Sequence, residues 1–152
     1  MPKASVKRLI ECEKKDLINL VLDIEKYPEF VPFCFGAKIY ENKNEGDLTT
    51  ITAELTIGKG PFKDTYKSDV VFDRKKDAIF VKNIEGPLNH LSNNWIFIDK
   101  ENGITEVTFD IDFEIKNKFL NSLMIVSFQF GLEKIADAFQ NRAEQLFSSS
   151  KN

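Results

Sequence analysis

The sequence predicts an α+β domain in which a curved antiparallel sheet wraps one long C-terminal helix, with one or two short helices after the first strand. Three observations carry this reading. Apolar and polar residues alternate with period two through 51–57 and 104–116, turn formers separate these runs, and apolar residues recur every three or four positions from 119 to 147. Strands joined by short turns pair antiparallel, and a sheet with one apolar face must cover it. The C-terminal helix is the only segment long enough to do so, which gives a helix-grip arrangement that encloses a cavity.

The elements follow in order. Residues 3–11 read as a strand, and Leu17, Ile18, Val21 and Leu22 give 14–24 the apolar side of a short amphipathic helix. In "YPEFVPFC" (27–34), Pro28 suits the start of a helical turn and Pro32 ends it. Tyr27, Phe30, Val31 and Cys34 then share one side, an apolar plug for one end of the curled sheet. Shorter strands are expected at 36–42, 78–84 and 94–99. In 51–57, Ile51, Ala53, Leu55 and Ile57 alternate with Thr52, Glu54 and Thr56. In 62–72, Phe62, Tyr66, Val70 and Phe72 share a face with Asp64 and Ser68. In 104–116, Val107, Phe109, Ile111, Phe113 and Ile115 face a core, and Asp110, Asp112 and Glu114 face water. The final helix carries Leu120, Met124, Phe128, Leu132, Ile135, Phe139, Ala143 and Leu146 on its apolar stripe, with Gly131 permitting a bend or close packing.

The chain of 152 residues suits one core, and no repeat or linker divides it, so one domain is expected over 1–148 with a flexible tail at 149–152. Twenty-one basic against 24 acidic residues leave a net charge of −3, which offers no bulk argument for nucleic acid. The opening "MPKASVKRLIECEKK" has no apolar signal region, and "FLNSLMIVSFQFGL" (119–132) is too short and too polar to span a bilayer. Cytoplasmic residence is expected, with Cys12 and Cys34 as free thiols. Fourteen Phe against one Trp and three Tyr suit an apolar interior or an apolar-walled cavity.

No catalytic set stands out. His90, in the turn-rich "PLNHLSNN", has no base or orienting acid beside it in sequence and reads as a loop histidine. The alternating Asp110, Asp112 and Glu114 lie on a wet strand face, so no metal site is expected. "GKGP" (58–61) lacks the Lys-Ser/Thr ending of a phosphate loop and reads as a hairpin turn.

Three blocks, "VLDIEKYPEFVPFC" (21–34), "EGPLNHLSNNWIF" (85–97) and "ADAFQNRAEQLF" (136–147), resemble the coenzyme Q-binding, polyketide cyclase-like branch of the START superfamily, whose bacterial members include the RatA-type ribosome-association proteins. The likeness spans nearly the whole chain, and Tyr-Pro-x-Phe-x-Pro is its most specific part. Phe33 stands where Trp is usual and Leu88 where Phe is usual. The resemblance implies the helix-grip fold, a lipid or quinone cavity, and no metal or catalytic cofactor.

Binding of ubiquinone or a similar prenyl lipid, as a carrier or chaperone supporting respiratory electron transport, is therefore expected. Burial of isoprenoid carbon, about 0.8 kcal/mol per CH₂-sized group, drives such binding without a charged anchor. The expected wall comprises Tyr27, Phe30, Phe33, Phe62, Tyr66, Phe72, Trp95, Phe97, Phe109 and Phe113 on the sheet side and Phe128, Leu132 and Phe139 on the helix, with Asp64 either a polar handle inside it or an edge residue that reaches solvent. A second reading, implied by the same resemblance, is attachment to the large ribosomal subunit that blocks subunit joining. It would use the basic clusters Arg74, Lys75, Lys76 and Lys7, Arg8, Lys14, Lys15. A third is a polyketide cyclase or aromatase. The partners considered are an apolar small molecule, the inner-membrane surface and the large ribosomal subunit, and not DNA.

Overall fold

A computed structural model of the chain describes residues 3–59, 62–85, 88–115 and 118–147. Strand β1 (Lys3–Glu11) leads to helix α1 (Lys14–Leu22) and a 3-10 helix (Ile24–Glu29). The strands β2 (Cys34–Glu45), β3 (Leu48–Lys59), β4 (Phe62–Asp73), β5 (Ala78–Glu85), β6 (Leu88–Asp99) and β7 (Ile104–Ile115) follow, and helix α2 (Lys118–Phe147) ends the described chain. The strands form one seven-stranded antiparallel sheet in the order β1-β7-β6-β5-β4-β3-β2. The expected curved sheet and long C-terminal helix are both present, as a helix-grip fold requires. Strands β2 to β7 run as a meander, so the two edges, β1 and β2, are joined in sequence through α1 and the 3-10 helix.

The sheet bends where its register slips, at Cys34/Gly36 and Ile39/Glu41 in β2, Lys67/Ser68 in β4 and Leu88/His90 in β6. Each bulge adds twist and lets the sheet curl. The concave face carries Val6 and Ile10 of β1, Ile51 and Ala53 of β3, Val70 of β4, Ile79 of β5, Trp95 and Phe97 of β6 and Val107 and Phe109 of β7, all buried. Along α2, Leu132, Ala136, Phe139 and Ala143 are buried at spacings of four, three and four. The two alanines leave room for the helix to lie against β1, its principal neighbour in the fold, ahead of α1 and β7. Thr105, fully buried, donates its hydroxyl to the carbonyl of Cys12 at 2.7 Å and ties β7 to the start of the helical connection.

Several expectations need correction. Residues 88–93, read as a turn-rich loop, are the first half of β6, so His90 lies in a strand. The short helical turn precedes the place expected: the 3-10 helix contains Pro28 near its end and stops before Pro32. A short i→i+3 helix tolerates proline here because its few hydrogen bonds do not need that N–H. Leu146 is exposed and leaves the apolar stripe one turn early. A β-carbon at Gly131 would meet no atom within 4 Å, so that glycine serves no close approach. The expected tail, 149–152, and the side chains of Leu120 and Met124 lie outside the described residues.

Candidate functional site

The concave face divides into two regions. Beneath the C-terminal half of α2 it is solid. Trp95, 8% exposed, stacks on Phe109 with ring centroids 4.2 Å apart and meets Phe139 edge-on at 5.0 Å. Phe139 also takes Tyr27 at 5.3 Å and Phe30 at 5.2 Å, both edge-on. Such geometries favour aromatic pairs beyond the area they bury. The space left among Val6, Arg8, Ile10, Leu17, Trp95, Val107, Phe109, Ala136 and Phe139 is only about 10 Å³, room for one water-sized sphere. Trp95, Phe97, Phe109, Leu132 and Phe139, expected to line a cavity, are thus brought together as packed core on this side.

Across β3, β4 and β5 and along β7 the same face changes character. Leu55, Phe72, Val81 and Ile111 point inward and pack against the core, and Tyr66 stands opposite Leu55 on the same face, yet each is only half-buried. Tyr66 lies deep enough that desolvation, with the nearby Cys34 thiol adding to it, pushes its phenol well above the ordinary range. These half-buried side chains keep accessible surface on this part of the concave face. Tyr27 and Cys34 are its electrostatic neighbours; burial raises both, and the Tyr27 hydroxyl donates to the Val21 carbonyl. Phe113 is buried further along β7.

Two expected wall residues point elsewhere. Phe33 is 37% exposed in the turn before β2, with φ at +69°, so its ring leaves the interior. Asp64 is exposed at the open end of β4 and accepts the Thr65 amide at 2.8 Å, which makes it a surface acid and not a cavity handle. Phe62 and Phe128 fall in β4 and α2, but their side chains lie outside the described ones.

His90 faces the convex side with Asp112, its Nε2 3.6 Å from Asp112 Oδ2, on the opposite face from Tyr66 and Trp95. Among the described residues no group of three His, Cys, Asp or Glu side chains could hold a metal ion. The concave face does carry polar groups the sequence reading passed over: Asn83 of β5 and Asn93 of β6, beside Ser68. The signal was present, because Leu91, Asn93, Trp95 and Phe97 alternate with Ser92, Asn94 and Ile96, but the run of Asn, Ser and His masked it.

Residues 13–140 match the family described as polyketide cyclase / dehydrase and lipid transport. The chain belongs to this family. A relative from Rickettsia prowazekii, "Ribosome association toxin RatA", is 30% identical over 142 residues, 91% of this chain and 94% of its own. "Coenzyme Q-binding protein COQ10, mitochondrial" from Dictyostelium discoideum is 30% identical over 138 residues, 88% of this chain, which spans 65% of that relative's length. In fold, a START superfamily protein from Mycobacterium smegmatis superposes with a TM-score of 0.80 over 95% of this chain and 98% of its own, at 20% identity. The resemblance to polyketide cyclase-like, coenzyme Q-binding and RatA-type proteins read from the three sequence blocks therefore stands. No helix among the described residues is long and apolar enough to cross a membrane.

Proposed function

We propose that the domain, residues 1–148, binds a prenyl-type lipid such as ubiquinone on the concave face and carries it without catalysis. The observation behind this reading is the row Leu55, Tyr66, Phe72, Val81 and Ile111, inward-facing and only half-buried. A sheet face with no ligand to accept would be closed by its helix, as the same face is closed around Trp95. Each CH₂-sized group of a lipid covered there contributes about 0.8 kcal/mol, enough to offset the cost of association over a few isoprene units. The relative named as a coenzyme Q-binding protein agrees with this class of ligand. A carrier of this kind loads at a membrane surface, so transient contact with a bilayer is part of the proposal. The test is extraction: lipid-stripped protein is mixed with vesicles containing ubiquinone, the vesicles are removed, and quinone is measured in the supernatant. Stoichiometric quinone supports the reading. An amount no greater than that held by an unrelated protein of similar size sinks it.

A second reading, association with the large ribosomal subunit, is favoured by the RatA relative and by one surface. On the convex side of β2–β4, Lys63 lies 4.1 Å from the centre of the Phe35 ring, and Lys38 and Lys67 each lie 4.8 Å from that of Tyr40. The basic clusters expected from sequence serve this reading poorly. Lys7 pairs with Glu106, Arg8 with Asp137, Lys14 with Asp77 and Asp99, and Lys75 with Asp47. Co-sedimentation with large subunits at low and high salt decides it, and no association at low salt rejects it.

A further inference from the structure

From β4 to β6 the concave face carries one short line of polar side chains, Ser68, Asn83 and Asn93. Ser68 stands opposite Asn83 across β4 and β5, and Asn83 Oδ1 accepts the Leu91 amide at 2.8 Å, just past the last ladder pair of β5 and β6, Lys82–Ser92. That oxygen is used in holding the strands together. Asn93 is different. Its Oδ1 is shut off from solvent and meets no donor among the described residues. Val81 and Ile111 flank it on the neighbouring strands, and Leu91 and Trp95 lie two residues away on its own. A buried amide oxygen without a donor carries the full desolvation penalty of the group, and an apolar side chain at this position would avoid it. The asparagine therefore needs a partner that the described protein does not supply. The residue as a whole is only half-buried, and the soft terminal torsion of asparagine lets the amide turn toward its accessible side.

We propose that Asn93 is the head-group contact of the lipid site and that the site selects ligands whose polar end carries a hydroxyl: a quinol over its quinone, a prenol over its ether. The proposal rests on the lipid-binding reading above. A hydroxyl donates to Oδ1 and accepts from Nδ2 at once. A carbonyl or ether oxygen only accepts, and leaves Oδ1 as it is. A lipid covering the half-buried Val81 and Ile111, beside the buried Leu91 and Trp95, excludes water that would otherwise blur the difference.

The test uses geranylgeraniol and its methyl ether, which share one tail and differ in a single donated hydrogen. Each is titrated into the lipid-stripped full chain, with the Asn93→Leu variant alongside. The wild type is expected to bind the alcohol about tenfold more tightly than the ether. Asn93→Leu, which keeps the branching and heavy-atom count of asparagine without its polar atoms, is expected to bind both with the affinity of the wild type for the ether. Equal binding of alcohol and ether by the wild type overturns the subsite while leaving the lipid reading intact, as does a preference that survives in Asn93→Leu. Binding of neither overturns the lipid reading and the subsite together. Should Asn93→Leu fail to fold, the wild-type ratio still decides.

Discussion

Arg8 of β1 and Asp137 of α2 meet at 2.6 Å, although Arg8 projects from the concave face between the buried Val6 and Ile10. A charged residue at an inward position is explained by where the strand lies. β1 is the sheet edge over which α2 passes, so the stem of Arg8 packs in the core while its guanidinium reaches the helix flank, where Gln140 Oε1 also accepts at 3.3 Å. The pair is partly solvated, with Arg8 24% and Asp137 57% exposed, so its coupling is small. A double-mutant thermal or urea cycle should give about 0.2–1 kcal/mol. Arg8→Ala alone should cost more than Asp137→Ala, because it also removes the packed stem. A coupling well above that range would mean the pair is effectively buried.

Phe139 is the hub of the aromatic cluster, touching Tyr27, Phe30 and Trp95. Phe139→Ala and Trp95→Ala should each cost about 3–5 kcal/mol, the range for large aromatic truncations in a packed core. Denaturant unfolding checks this. Losses under 1 kcal/mol would show that the core on this side is looser than its 10 Å³ void indicates.

The strand faces were legible because one side of the sheet is apolar: Ile51 and Ala53, or Val107 and Phe109, could be placed inward from alternation alone. What sequence could not show was how α2 divides that face. Trp95 and Tyr66 both read as wall residues, yet one is buried beneath the helix and the other only half-buried, a distinction that residue type does not announce. Residues 88–93 were misread because Asn, Ser and His disfavour strands intrinsically, while pairing to Asp112 and Ile111 in β7 overrides that preference. Phe33 was misplaced because nothing in a Phe announces a left-handed backbone.

That backbone makes Phe33 testable. At φ +69° the β-carbon of a bulky residue is crowded, which costs roughly 1–2 kcal/mol, and the exposed ring returns little packing. Phe33→Gly removes the crowding but adds unfolded-state freedom worth about 0.5–1 kcal/mol. A net gain of about 0.5 kcal/mol is expected, with lipid extraction unchanged. Reduced extraction by a folded Phe33→Gly would return this ring to the binding site.

Burial pushes the Cys12 thiol up to about 12, with the nearby Asp16, Glu13 and Glu144 carboxylates adding to it. In the unfolded chain the thiol ionises near 8.5. A pKa raised by folding contributes stability that is complete below the unfolded value and is lost as pH climbs toward the folded one. Stability should therefore fall from about pH 9 upward, and the raised Tyr27 and Tyr66 phenols act in the same direction. Cys12→Ala should flatten the alkaline slope in urea melts taken from pH 8 to pH 11. An unchanged slope would mean the thiol ionises alike in both states. Alkylation at pH 8 should likewise leave Cys12 unmodified until the protein unfolds.

The edge of β1 gives a last expectation. An uncovered edge strand presents backbone donors and acceptors that invite pairing with another chain. Here α2 caps them with side chains one turn apart: Gln140 Nε2 donates to the Leu9 carbonyl at 3.2 Å, and the Glu11 amide donates to Glu144 Oε2 at 3.0 Å. The spacing of four places both on the helix flank that overlies the strand. Replacing both by alanine removes these two edge hydrogen bonds, worth about 1 kcal/mol each, together with the one Gln140 accepts from Arg8, and frees the edge beside Leu9, itself 59% exposed. The double variant should fold with reduced stability and self-associate as concentration rises, measured by sedimentation velocity. A variant that is destabilised but stays monomeric would show that the bulk of α2, and not its polar side chains, keeps the edge from pairing.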